Sequence, residues 1–171
     1  NVEGKGAVTI RDLVRNSLRM RPDRIVVGEV RGGESLDMLQ AMNTGHDGSL
    51  TTVHANSSLD ALTRIETLAA MSEVEVPFAV LREQVNSAME LVVQLERGPD
   101  GTRRVTEVAY VSSKRREDYS LVPILRYDRD RVRAGGQLGD FVRWPLPAEL
   151  VERLRLSGQA VPAAFAGGVG G

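Results

Sequence analysis

Two stretches of the chain collect side chains able to handle a proton or a phosphate. The first, Ile25–Glu34, reads IVVGEVRGGE: a β-branched run leads straight into Gly28 and Glu29. A carboxylate fixed at the carboxyl end of a parallel strand stands at the sheet edge where open α/β folds bind their ligands, and Gly28 leaves room for a phosphate or another backbone to come close. Glu29 could there orient or deprotonate a water, which contributes about 10²- to 10⁴-fold to a rate; the competing reading is an ordinary acidic strand terminus. The second stretch, Thr44–Asn56, reads TGHDGSLTTVHAN and contains both histidines of the chain. With Leu50–Val53 extended, alternation sets Thr52 and His54 on one face and Thr51 and Val53 on the other, so His54 emerges at a strand end. An imidazole can donate a hydrogen bond to a phosphoryl oxygen, as can the hydroxyls around it. His46 reads first as a polar cap on a loop. A zinc site at His46, Asp47 and His54 would need a further ligand, and no other histidine and no cysteine exists to provide one, so zinc is disfavoured.

These groups need a frame of alternating helices and strands. Thr9 with Asp12 three residues on predicts a capping box, followed by Ile10, Leu13, Val14 and Leu18 at helical spacing. Arg11, Arg15 and Arg19 recur every four residues on that helix, away from its apolar side, and read most simply as a solvated stripe. Pro22 ends the helix, and Ile25-Val26-Val27 suits a parallel strand buried on both faces. Leu36, Leu39 and Met42 predict a second helix stopping near Gly45. Ser57 or Ser58 caps a third with Leu59, Leu62, Ile65 and Leu68, and a fourth starts near Pro77. This alternation predicts an α/β layer fold. Leu91–Leu95 and Val105–Val111 flank Gly98-Pro99-Asp100-Gly101 and predict an antiparallel hairpin, which Leu121–Tyr127 extends. Residues 112–118 and 128–140 read as polar or glycine-rich connections, Pro147–Leu156 as a terminal helix, and the chain from Ala160 as frayed.

Composition narrows the function classes. With 171 residues the chain suits one domain or a piece of a larger protein, and 42% apolar with 26% charged residues excludes wholesale disorder. Aromatics are only 4%, so the core is expected to be aliphatic. Acidic and basic residues nearly cancel, 23 against 22, which disfavours nucleic-acid binding. The absence of cysteine excludes disulfides and thiolate chemistry and fits a reducing cytoplasm. No apolar run approaches the about 20 residues needed to cross a bilayer, so no direct membrane insertion is expected. The chain opens on Asn1 without a secretory signal, which suggests an excerpt.

Taken together, RPDRIVVGEVRGGESLDMLQAMNTGHDGSLTTVHAN resembles the Walker B motif and His box of the type II/type IV secretion ATPases, and among them most resembles the motor of Flp (tight-adherence) pilus assembly. The resemblance runs from about Asn1 to Phe165 and is dense through Leu95. It implies a RecA-like P-loop ATPase in a hexameric ring, using ATP and Mg2+, cytoplasmic and peripheral at the inner membrane, where platform proteins of a pilus or secretion system are its partners. Carried over by position, Glu29 matches the Walker B glutamate that positions the attacking water and, through water, the magnesium. His54 matches the closing histidine near the γ-phosphate. Thr44, Gly45 and His46 open the His box, and Arg11, Arg15 and Arg31 match basic positions kept near the nucleotide or the subunit boundary; with Gly28 these are the expected nucleotide-binding residues.

The phosphate-cradling signature GxxxxGK[ST] is missing from these residues. Lys5 and Lys114 are the only lysines, and neither stands in that pattern. The resemblance therefore implies the C-terminal half of an ATPase domain, inactive by itself and prone to expose apolar edges. The alternative is a non-catalytic or truncated chain acting as an assembly module. The expected division is a partial RecA-like domain over 1–112, a C-terminal subdomain over 113–160 and a flexible tail over 161–171.

Overall fold

The capping box read at Thr9 is present: its Oγ1 accepts the Asp12 amide at 3.1 Å, and the Asp12 carboxylate accepts the Thr9 amide at 3.0 Å. It opens helix α1 (Ile10–Arg19). The chain leaves that helix through Arg21, in the left-handed region at φ 52°, because the following Pro22 disfavours helical geometry. The computed structural model describes residues 6–112, 118–132, 134–136 and 138–165. Lys5, Lys114 and residues 166–171 of the expected tail lie outside the described residues.

Two compact units form. The first runs through Met89 and takes in Asp118 and Tyr119; the second holds Glu90–Ser112 and the chain from Ser120. After α1 the first unit continues with β1 (Val26–Val27), α2 (Glu34–Met42), β2 (Leu50–Thr51), α3 (Ser58–Ala70) and α4 (Phe78–Ala88). β1 and β2 pair in parallel, Val26 opposite Leu50 and Val27 opposite Thr51, with α2 as the crossover helix. The core is aliphatic, as the scarcity of aromatics suggested: Leu36, Met38 and Leu39 of α2 pack with Leu62, Ile65, Leu81 and Val85 of α3 and α4. One expectation fails here. Ile25 and Val27 are buried but Val26 is 72% exposed, so this strand is covered on one face only. Its other face borders a groove of about 510 Å³ lined by Ile10, Leu13 and Val14 of α1.

The second unit is one antiparallel sheet, β3 (Leu91–Arg97), β4 (Arg103–Val111), β5 (Leu121–Val132) and β6 (Leu138–Arg143), in that spatial order, with helix α5 (Ala148–Leu156) after it. The expected turn closes β3 on β4. Gly101 takes φ +77°, and the Asp100 carboxylate accepts hydrogen bonds from Thr102, then Arg104, which hold its pKa down to about 2. β5 carries Pro123 at a register shift, where no ladder donor is needed. The connection expected over 128–140 is largely strand, because Arg and Asp side chains on an exposed hairpin arm hide the strand signal. Gly135 and Gly136, at φ +106° and +82°, sit between the two strands, and Tyr127 meets Phe141 edge to face with centroids 5.4 Å apart. Residue 112, where the first domain was expected to end, lies just after β4 inside this hydrogen-bonded sheet. The units instead divide between Met89 and Glu90.

Candidate functional site

The parallel pairing extends past the two residues of each strand. Leu50 N–H donates to the Ile25 carbonyl at 3.0 Å, and at the other end Val30 N–H donates to the Thr52 carbonyl at 3.1 Å. The Thr52 hydroxyl donates to the Gly28 carbonyl at 2.6 Å, pinning the two chains where they leave the sheet. That register carries Glu29 and His54 out at the same, carboxyl, end of the pair. His54 Nε2 lies 3.0 Å from Glu29 Oε1, and Arg31 places Nε and Nη2 at 2.7 and 2.6 Å from Oε2. The Glu29 side chain is 23% exposed, while those of Arg31 and His54 are 77% and 86% exposed. Arg31's hydrogen bonds, then its charge and that of His54, hold the Glu29 carboxyl below the usual range, against the opposing effect of burial. An ionised carboxylate of lowered basicity suits holding and orienting a water better than taking its proton outright. A Cβ built on Gly28 would meet nothing within 4 Å, so the approach to this corner is open.

The turn into α2 is already occupied. The amides of Arg31 and Gly32 donate to Glu34 Oε1 at 2.7 and 3.1 Å, so an acidic side chain of the helix itself takes the donors an anion would use.

Thr44, Gly45 and His46 lie elsewhere. Thr44 Oγ1 donates to the carbonyls of Gln40 and Ala41, and His46 Nδ1 is 3.0 Å from the Ala41 carbonyl, so the two polar side chains cap the end of α2. Gly45 makes the turn at φ +92°. Ser49 Oγ accepts the Ile25 amide at 2.9 Å and donates to the His46 carbonyl at 2.7 Å, which fixes this loop at the amino end of the strands. Four residues of extended chain, about 13 Å, separate Ile25 from Glu29. The loop reading of His46 accords with this position. Arg11 and Arg15 also have other work: Arg11 binds Asp37 at 2.7 Å and Glu73 at 3.2 Å, and Arg15 reaches Asp37 at 3.4 Å, tying α1 to α2. The structure thus gathers Gly28, Glu29, Arg31 and His54, and leaves the other five outside that cluster.

Two features escaped the sequence reading. Thr52, in sequence one hydroxyl among several, pins the register. Glu66, buried in α3, accepts two hydrogen bonds from Arg82 of α4 at 3.1 and 3.2 Å and one from the Tyr119 hydroxyl at 2.5 Å. Its signal was present: Glu66 follows Leu62 by four residues and so lies on the apolar face of α3. Among the described residues no three His, Cys, Asp or Glu side chains group closely enough to hold a metal, and no helix is long and apolar enough to cross a membrane.

Known proteins resemble this chain over the same region. The family model described as type II/IV secretion system protein matches residues 1–121. A putative conjugal transfer protein of Mycobacterium tuberculosis is 50% identical over 109 residues, covering 64% of this chain and 30% of that protein. The conjugal transfer protein TrbB of Rhizobium radiobacter is 41% identical over 118 residues, covering 69% and 35%. Among solved structures, the VirB11 ATPase of the Brucella suis type IV secretion system, in complex with sulphate, matches with a TM-score of 0.57 at 34% identity over 60% of this chain and 32% of that one. The chain spans about a third of the length of the relatives it matches. With the family pattern running from residue 1 through both chemical segments and into the second unit, the chain belongs to the type II/IV secretion system protein family.

Proposed function

We propose that this chain is part of an ATP-hydrolysing motor of secretion, conjugation or pilus assembly, and that the corner formed by Gly28, Glu29, Arg31 and His54 faces the terminal phosphate. The observation that supports this most is the convergence of an ionised carboxylate, an imidazole and a guanidinium at the carboxyl end of a parallel pair, beside an open glycine. Glu29 holds the attacking water in line with the phosphorus, His54 keeps the carboxylate turned toward it, and the exposed donors of His54 and Arg31 favour the charge that builds on phosphoryl oxygens. Gly28 permits the close approach. Mg2+, when bound with the nucleotide, neutralises phosphate charge. Glu34 is turned to the Arg31 and Gly32 amides, so Glu29 is the carboxylate that would bear on that magnesium, through water. The phosphate-cradling loop comes from a part of the protein other than these 171 residues, and the working form is a hexamer at the cytoplasmic face of the inner membrane, docked on platform proteins.

The test is Glu29→Gln in the full-length protein. Phosphate release is expected to fall by at least about 10²-fold while nucleotide still binds; wild-type turnover would remove Glu29 from the mechanism. Binding without turnover in the wild type itself would favour the second reading, a non-catalytic assembly module.

A further inference from the structure

Glu29 is engaged on both oxygens. Oε1 faces His54, and Oε2 receives two donors of the Arg31 guanidinium. A carboxylate oxygen offers about two lone-pair sites, so Oε2 is saturated by its own neighbour two residues on. Arg31 brings both of its bonds to a single oxygen, rather than spreading its fork across two as the strongest carboxylate pairs do. Glu29 is also its only ion-pair partner among the described residues, and most of the guanidinium side chain lies in solvent. An ion pair this exposed holds by a factor of about five at most. The contact is thus well placed to occupy the carboxylate and weak enough to be exchanged.

We propose that Arg31 is a substrate-released restraint on Glu29: without nucleotide its guanidinium occupies Oε2, and when a nucleoside triphosphate binds it transfers to the terminal phosphate and leaves Oε2 open to the attacking water. This rests on the ATPase reading above. A phosphoryl group offers the planar fork two oxygens and more charge than a carboxylate, so the exchange runs toward the phosphate. A diphosphate, lacking the terminal group, leaves the restraint closed. Arg31 acts on the water only through Glu29 and is in that respect a positioning residue, one that makes readiness of the carboxylate conditional on the correct nucleotide.

Equilibrium binding to the full-length protein tests this, with a non-hydrolysable ATP analogue and ADP as probes, each with Mg2+, for wild type, Arg31→Gln, Glu29→Gln and the double variant. Arg31→Gln is expected to weaken the analogue by about tenfold, the low end for a hydrogen bond to a charged group, and to leave ADP unchanged. Glu29→Gln is expected to tighten the analogue, since the phosphate no longer competes with a carboxylate for the guanidinium, and that gain is expected to vanish when Arg31→Gln is added. Equal losses for both nucleotides in Arg31→Gln, or a Glu29→Gln gain that survives in the double variant, would overturn the restraint and leave the ATPase reading standing. A wild-type protein that binds neither probe would overturn both.

Discussion

Tyr119→Phe isolates one buried hydrogen bond in the first unit. Glu66 is 3% exposed and carries its charge in the core, held by Arg82 from α4 and by the Tyr119 hydroxyl at 2.5 Å. The substitution keeps the ring and its contact with Arg82, whose guanidinium lies 5.9 Å from the ring centroid, and deletes only the oxygen. Arg82 still serves the carboxylate, so the charge is not orphaned and the loss is one charge-assisted bond, about 1.5–3 kcal/mol. The short contact argues for the upper half of that range. At a urea slope of about 2 kcal/mol per molar, the unfolding midpoint falls by about 1 M with the slope unchanged. Circular dichroism follows α3 and α4 through the transition. There is a second signature in pH. Burial first, then the bond to Glu66 and its charge, push the Tyr119 phenol well above its ordinary value. A raised folded-state value means stability that is full below about pH 10 and is lost as the unfolded chain ionises above it. The gap between wild type and Tyr119→Phe therefore narrows above pH 10. A midpoint shift under about 0.3 M at pH 7, or a gap constant through pH 11, would refute the claim that this oxygen ties residue 119 to α3.

Three further outcomes follow from the same structure. Gly33→Ala destabilises by about 1–3 kcal/mol in urea unfolding, because its Cβ would sit 2.7 Å from Ser72 Cα and 2.9 Å from Ser72 N, backbone that cannot step aside; an unchanged midpoint would show that the α2 and α3 ends have slack. Gly28→Ala leaves that midpoint alone, since nothing stands near the added carbon, but weakens nucleotide binding by the full-length protein; a stability loss would contradict the open corner. Glu29 titrates below the ordinary carboxyl value of about 4.3, so its stabilising pair with Arg31 is complete above that value and lost as pH falls through the folded one. Arg31→Ala moves the Glu29 carboxyl titration upward in ¹³C NMR, and an unmoved curve would mean that Arg31 is not the cause.

Much of this architecture is readable from local sequence because its causes are local. Thr9 and Asp12 make a capping box wherever a helix starts there, and Pro22 denies the preceding residue a helical backbone. Ser57 and Pro77 mark the next helix starts for similar reasons, and Gly98–Gly101 specifies its turn. The charged arm of β5 and β6 was hidden because Arg and Asp carry no apolar alternation, although the two strands pair directly as neighbours.

For the site, the sequence by itself determined the inventory: a carboxylate after a β-branched run, an imidazole after another, a glycine and an arginine at hand. It also determined, through the joined motifs, the family. Which of those residues meet was decided only by tertiary structure. The register that sets Val27 against Thr51 brings Glu29 and His54 to one end, and the same register sends His46 to the other, although His46 and His54 are eight positions apart in one motif. The resemblance sets Arg11 and Arg15 near the nucleotide or subunit boundary as an expectation, yet Asp37 and Glu73, brought close by helix packing, take their charge. The physical reason is that hydrogen-bond register and helix packing are long-range choices, fixed by burying Leu39, Leu62 and Leu81 together, and no spacing along the chain encodes which charged groups that burial leaves face to face.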